Sequence, residues 1–307
     1  MAQLIGLDIP FLGLGSHLRA GDPFSLLLVP RSTSELASPE DWRRVHWEHK
    51  ALTAAVSGGA RVAAISHHMR GHLEQVYRVP RHAVVDLPNG LLLSDHEDVP
   101  PAPLPPRAGA GFLLAMGRAV ESKGFEDLLE ALRILDARGE RVPHLVLAPT
   151  THTENLTDHQ RQLQAMARDY AIDATFLPRF SSRYRTWLRS SALRGVVVPS
   201  RAEPFGRIPL EAFASGAAPV VATRVGGLTE TVVDGVTGFT AEARDPMDLS
   251  RAIRRALHIS DREREQMRAR SRALLTARHD YESTIRTYLR QYTPWAMTLG
   301  GAVRGGA

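Results

Sequence analysis

No cysteine occurs among the 307 residues, which excludes a disulfide framework, a thiolate metal site and a thiol nucleophile. Lysine is almost absent too, found only at Lys50 and Lys123. Positive charge therefore rests on arginine, whose planar fork stays charged and suits carboxylates and phosphates. No apolar run approaches the roughly 18–20 residues that a membrane-spanning helix requires. The apolar start, up to Leu14, is interrupted by Asp8 and has no basic residue before it, so a leader peptide is not expected. A cytoplasmic setting fits, and the positive balance leaves peripheral contact with an anionic membrane surface open.

What is present is an ordinary globular mixture, with 43% hydrophobic and 23% charged residues. The net charge of +5 is spread along the chain. Its densest stretch, 251–278, interleaves arginine with Asp261, Glu263 and Glu265, as solvated helix faces do. Nucleic acid is therefore not an expected partner. The length suits two domains, and no internal repeat is found.

A boundary falls at Val99-Pro-Pro-Ala-Pro-Leu-Pro-Pro-Arg-Ala-Gly-Ala-Gly111, where proline removes backbone donors and fixes φ. It reads as a semi-rigid linker, 99–111, after a first domain, 1–98. Beyond it, strand-like runs at 112–116, 144–148, 175–177, 195–199 and 219–222 alternate with helix patterns. One of these places Phe125, Leu128, Leu129, Leu132 and Leu135 on a single helical face. Strands separated by helices, without strict alternation, predict a parallel sheet covered on both faces. The fold class is α/β, with a doubly wound, Rossmann-like domain over 112–278. A helix at 279–293 is expected to pack back toward the first domain, ahead of a flexible tail at 294–307. The first hundred residues offer three comparable strands, at 25–29, 61–65 and 83–87. A helix is predicted over 42–56, and Ser66 is placed to cap another that runs to about Tyr77. That makes a partial Rossmann-like domain.

Ligands of open parallel sheets bind beyond the carboxyl ends of the strands, and three segments leave such ends. In Gly117-Arg118-Ala-Val-Glu-Ser-Lys123-Gly124, Arg118 can grip phosphate oxygens and Lys123 adds a point charge. In Pro199-Ser-Arg-Ala-Glu203-Pro-Phe-Gly206-Arg-Ile-Pro209-Leu-Glu211-Ala-Phe-Ala-Ser-Gly216, Glu203 falls in the loop and Glu211 in the first turn of the following helix. The two carboxylates can converge on one ligand, Glu211 toward ribose hydroxyls and Glu203 toward sugar hydroxyls. The amides of Phe205, Gly206 and Arg207 are suited to phosphate. In Val225-Gly226-Gly227-Leu, paired glycines let a third, backbone-lined wall approach. Singly, each segment also fits an ordinary charged loop or a tight turn.

Together, the segments from Gly117 to about Leu257 resemble the donor-binding domain of the family-four retaining glycosyltransferases. These are GT-B enzymes related to glycogen synthase and to mannosyl- and glucosyltransferases of the cell envelope. The resemblance rests on Gly-Arg…Lys-Gly, the two glutamates with seven residues between them, Pro-Phe-Gly among these, Ala-Phe-Ala-Ser-Gly, Pro219-Val-Val-Ala222, Gly-Gly-Leu and Asp234-Gly-Val-Thr-Gly238. Pro88-Asn89-Gly90 matches the family's link between domains.

The resemblance implies a GT-B-like fold, with a complete C-terminal Rossmann-like domain and a shortened N-terminal, acceptor-side one. It implies a nucleotide-diphosphate sugar as co-substrate and transfer with retention to an unidentified acceptor. Arg118 and Lys123 would hold the diphosphate, Glu211 the ribose, and Glu203 the transferred sugar, whose anomeric charge it would favour. Phe205, Gly206, Arg207, Gly226 and Gly227 complete the donor-binding set. No cofactor and no metal are implied, and no Asp-x-Asp pair follows a predicted strand.

The chain departs from the family in three places. Ala148-Pro149-Thr150 stands where glycine usually follows the strand. Pro30-Arg31-Ser32 stands where the family's histidine is expected, and only His17 offers itself in its place. His67, His68 and His72 include an i, i+4 pair on a predicted helix, but Glu74 lies on another face, so no metal is expected there. The alternative reading is a non-catalytic, donor-binding subunit of a complete transferase, with a partner protein supplying the front of the first domain. A phosphorolytic GT-B reaction would call for a cofactor lysine, and neither lysine has that setting.

Overall fold

The computed structural model describes residues 2–7, 24–29, 42–96, 102–181, 183–217 and 219–294. Its contacts divide the chain into two compact units: the N-terminal portion up to Leu92 together with the chain from Arg278 onward, and Leu93–Ala277.

In the first unit, β1 (Ala2–Leu7), β2 (Phe24–Val29), β3 (Arg61–Ala64) and β4 (Val84–Asp86) form a parallel sheet in that order. The strand at Ala2–Leu7 was not expected. Its apolar run reads equally as the start of a chain, and only pairing with β2, Ala2 opposite Phe24 through Leu7 opposite Val29, defines it. Helix α1 (Trp42–Ser57) joins β2 to β3, and α2 (His67–Gln75) follows β3. Ser66 caps α2 as expected: its backbone is extended and its Oγ accepts from the Met69 amide at 3.0 Å. Leu52, Val62, Leu73, Tyr77 and Val84 form the unit's core. The buried Tyr77 hydroxyl donates to the buried Glu48 carboxylate, which spares that charge the cost of burial without a partner. Pro30-Arg31-Ser32 and His17 lie outside the described residues. Among the described residues, no three His, Asp or Glu side chains gather as a metal site requires.

The second unit holds six parallel strands: β5 (Phe112–Arg118), β6 (His144–Thr150), β7 (Ala174–Phe176), β8 (Leu193–Val198), β9 (Val220–Thr223) and β10 (Phe239–Ala241). Their order is β10-β9-β8-β5-β6-β7. The chain thus works outward from β5 to β7, then crosses to β8 and works outward the other way. β5 and β8 are the topological switch point of a doubly wound sheet. Strand β10 was not expected; three residues are too few for a periodic signal.

Helix α3 (Phe125–Ala137) connects β5 to β6, and α4 (Asp158–Asp169), with a Thr157–Gln160 capping box, connects β6 to β7. The predicted face of α3, Phe125, Leu128, Leu129, Leu132 and Leu135, is fully buried against the sheet. At about 1.5–3 kcal/mol per buried side chain, that face fixes the helix to the sheet. Helix α5 (Arg183–Trp187) precedes β8, α6 (Arg207–Ala214) follows it, and α7 (Leu228–Thr231) follows β9. Helices α8 (Pro246–Leu257) and α9 (Asp261–Arg278) come after β10, and α8 packs on α3. The last helix, α10 (Tyr281–Tyr292), groups with the first unit.

The described part of the proline-rich segment lies on the second unit. Residues Pro106–Ala110 form a turn of 3-10 helix with Ala108 buried, and Pro103 accepts a hydrogen bond from the Trp187 indole at 3.1 Å.

Candidate functional site

Strand β5 ends at Arg118, and the chain turns through a short 3-10 helix, Glu121–Lys123, to Gly124. Gly124 has φ +63°, and a Cβ there would lie 2.1 Å from the carbonyl oxygen of Pro199, just past the end of β8. Only glycine brings the two loops this close. The Arg201 amide donates to the Ser122 carbonyl at 2.7 Å. The Arg201 side chain grips Asp127, in the first turn of α3, through Nε and Nη2 at 2.8 and 2.7 Å, and reaches Glu121 at 3.1 Å. These bonds hold the guanidinium's proton more tightly than usual, against the opposing effect of burial.

Across this seam Lys123 Nζ donates to Glu203 Oε2, and both side chains are 13% exposed. The Ser200 hydroxyl approaches the same carboxylate oxygen at 3.5 Å. The third segment closes on Glu203 from the other side, as the Gly227 amide donates to the Glu203 carbonyl at 3.0 Å. A Cβ at Gly227 would stand 2.5 Å from Phe205 Cα and 2.7 Å from its carbonyl, so this contact is backbone on backbone. Gly206 precedes α6 and leaves its N-terminus without a side-chain cap. The positive end of that helix therefore faces the same loops.

Three segments read separately in sequence thus meet at one seam, which brings together Lys123, Glu203, Phe205, Gly206 and Gly227, with Gly226 at the turn. Arg118 is exposed at the tip of β5 and makes no ion pair among the described residues. The expectation that Glu211 occupies the first turn of α6 is corrected: the helix begins at Arg207, which puts Glu211 in the second turn. Glycine at 206, rather than Pro209, sets the helix start. One turn in, the helix dipole acts weakly on Glu211. Its side chain, 22% exposed, faces Arg207 Nη2 at 3.8 Å. Burial raises its carboxyl above the ordinary glutamate value, and the charges of Arg207 and Arg185 pull part of the way back.

Sequence reasoning passed over Arg201, Arg185 and His96. His96 ends a 3-10 turn, Leu93–His96, that packs on α6. It is buried, and burial and the charges of Arg185 and Arg207 lower its proton affinity. Arg185 and Arg189, one turn apart, donate to the carbonyls of Asp95 and His96. Their i, i+4 spacing was the only signal available. An arginine in a loop motif carries none until its acidic partners on α3 are known.

Residues 101–274 match the family described as "Glycosyl transferases group 1". The chain belongs to that family. A glycogen synthase of Mycobacterium tuberculosis is 32% identical over 191 residues, which cover 61% of this chain and 43% of the relative. A D-inositol 3-phosphate glycosyltransferase of Geodermatophilus obscurus is 35% identical over 198 residues, covering 62% and 42%. The chain thus spans about two fifths of the length of these curated relatives. Sucrose-phosphate synthase from Thermosynechococcus elongatus superposes with a TM-score of 0.77 at 23% identity, over 96% of this chain and 74% of that one. The Anabaena protein HepE, solved with UDP and with UDP-glucose, gives 0.68 at 20% identity, over 91% and 72%. The fold of this group 1 glycosyl transferase chain is therefore GT-B-like.

Proposed function

We propose that the chain binds a nucleotide-diphosphate sugar at the carboxyl ends of β5 and β8 and takes part in its transfer, with retention, to an acceptor hydroxyl. The observation that carries this reading is the Lys123–Glu203 pair at the switch point, with Arg118 exposed at the adjacent strand end. Two cations there can neutralise a diphosphate, and the uncapped N-terminus of α6 adds backbone donors. Binding the diphosphate draws Lys123 from Glu203 and frees that carboxylate for the sugar. Glu211, at the far end of the motif, takes the ribose hydroxyls. The solved complexes of HepE with UDP-glucose support a uridine donor.

In the proposed reaction the bond from the anomeric carbon to the diphosphate oxygen breaks as the acceptor oxygen bonds to the same face. The acceptor proton passes to the departing phosphate. Glu203 favours the positive charge that develops at the anomeric carbon, and Arg118 and Lys123 stabilise the leaving diphosphate. Orientation supplies the rest. With two cations doing this work, neither metal nor cofactor is required.

The test is release of nucleoside diphosphate from UDP-, GDP- and ADP-sugars, with and without a chelator, and the anomeric configuration of the product by proton NMR. Chelator-insensitive release with retention supports the reading. Inversion contradicts the proposed course, and binding without release assigns the chain a donor-holding role.

A further inference from the structure

We propose that the second unit carries another ligand site, for a small soluble molecule bearing a phosphate group, at the opposite end of its sheet. A cavity of about 530 Å3 opens there, where Gly111, His144, Asp173 and Arg194 mark the amino ends of β5, β6, β7 and β8. The volume lies within the range of small-molecule sites. A flat surface for a membrane would lack such a concavity.

The lining is unbalanced in charge. Arg107, Arg141, Arg194 and Arg264 face it, against only two carboxylates, Glu140 and Asp173. Both acids are already engaged. Asp173 Oδ1 lies 3.0 Å from Arg107 Nη1, and Glu140 pairs with Arg254 and, at 2.9 Å, with His258. Arg141 and Arg194 make no ion pair among the described residues. Arg264, on α9, donates to the Arg194 carbonyl at 3.5 Å, which holds the helix against the strand end. Burial and the charges of Arg268 and Arg194 lower Arg264's proton affinity, with Asp261 acting the other way. Positive charge is thus gathered at a partly enclosed place where like charges repel.

A phosphate monoester relieves that repulsion and matches the guanidinium fork in geometry. The buried His144, bonded through Nε2 to Thr175 Oγ1 at 2.8 Å, is part of the lining. None of these residues belongs to the β5–β8 carboxyl-end site, so the two sites can be tested apart.

The experiment uses the full chain carrying Arg118→Ala and Lys123→Ala, which removes the cations of the other site. Calorimetric titration with inorganic phosphate and with glycerol 3-phosphate should still show one site. Adding Arg141→Ala and Arg194→Ala should weaken it by about tenfold or more, and the double lysine replacement should restore part of the loss, since Lys keeps the charge but not the fork. Thermal melting confirms that each variant is folded; these arginines are exposed, so folding should persist. Phosphate binding unchanged by the two replacements would overturn the proposal. So would no binding at millimolar phosphate, or binding only to phosphatidylglycerol vesicles and to neither soluble probe.

Discussion

Lys123 and Glu203, eighty residues apart in the chain, form an ion pair whose side chains are each 13% exposed. Neither loop alone could hold its charge there. The pair exists because Gly124 lets its loop rest on Pro199 and because Arg201 ties the same two loops together.

Breaking that pair from one side leaves a mostly buried charge without its partner. Lys123→Ala and Glu203→Ala should each lower unfolding stability by about 1–3 kcal/mol, less than a fully enclosed pair because water reaches the site. The double variant should lose less than the sum of the two, with a coupling of about 0.5–3 kcal/mol. Urea unfolding of the four proteins measures this. Strict additivity would show that the pair does not form in solution.

Gly124→Ala forces a left-handed residue to carry a Cβ against a carbonyl oxygen at 2.1 Å. The backbone term alone costs about 1–2 kcal/mol, and separating the loops adds to it. The variant should unfold at clearly lower urea than the native chain. Gly216→Ala, which meets nothing within 4 Å, should show only the backbone part. Equal losses at the two positions would contradict the close approach.

Arg201→Lys tests the fork. One ammonium cannot make the two parallel bonds to Asp127 while reaching Glu121. Stability should fall by about 1–3 kcal/mol, nearly as far as in Arg201→Ala, when both are compared by urea unfolding. Full rescue by lysine would reduce Arg201 to a point charge.

Much of this was legible in sequence, and the limits have physical causes. The face of α3 and the cap at Ser66 were visible because local periodicity and local hydrogen bonding create them. The three loop segments were visible as chemistry, glycine beside cation and carboxylate. β1 and β10 were not, since a short parallel strand is defined by its partner. Pro209 suggests a helix start that would put Glu211 in the first turn, whereas Gly206 provides the start and Glu211 falls in the second. Arg201 was silent because its partners sit more than seventy residues away, on α3 and the turn before it.

Glu211 should leave a mark on the pH dependence of stability. Burial sets its folded-state value above the ordinary 4.5, so the folded chain holds this proton more tightly than the unfolded one. The contribution is fully present below the unfolded value and is lost as pH rises through the folded one. Relative to Glu211→Gln, the native chain should therefore lose stability on going upward from the ordinary glutamate value, and level off once the group has ionised. Urea midpoints across mildly acidic pH measure the difference. A difference curve that is flat, or that rises with pH, would contradict the burial.

We propose above that the seam between the β5 and β8 loops holds the diphosphate of a sugar nucleotide. Calorimetric titration of the native chain with UDP, GDP and ADP, repeated on Arg118→Ala/Lys123→Ala, tests it most directly. One site is expected for at least one nucleotide, weakened about a hundredfold or more, near 3 kcal/mol, when both cations are removed. Undiminished nucleotide binding in the double variant, or none in the native chain at millimolar nucleotide, would contradict it.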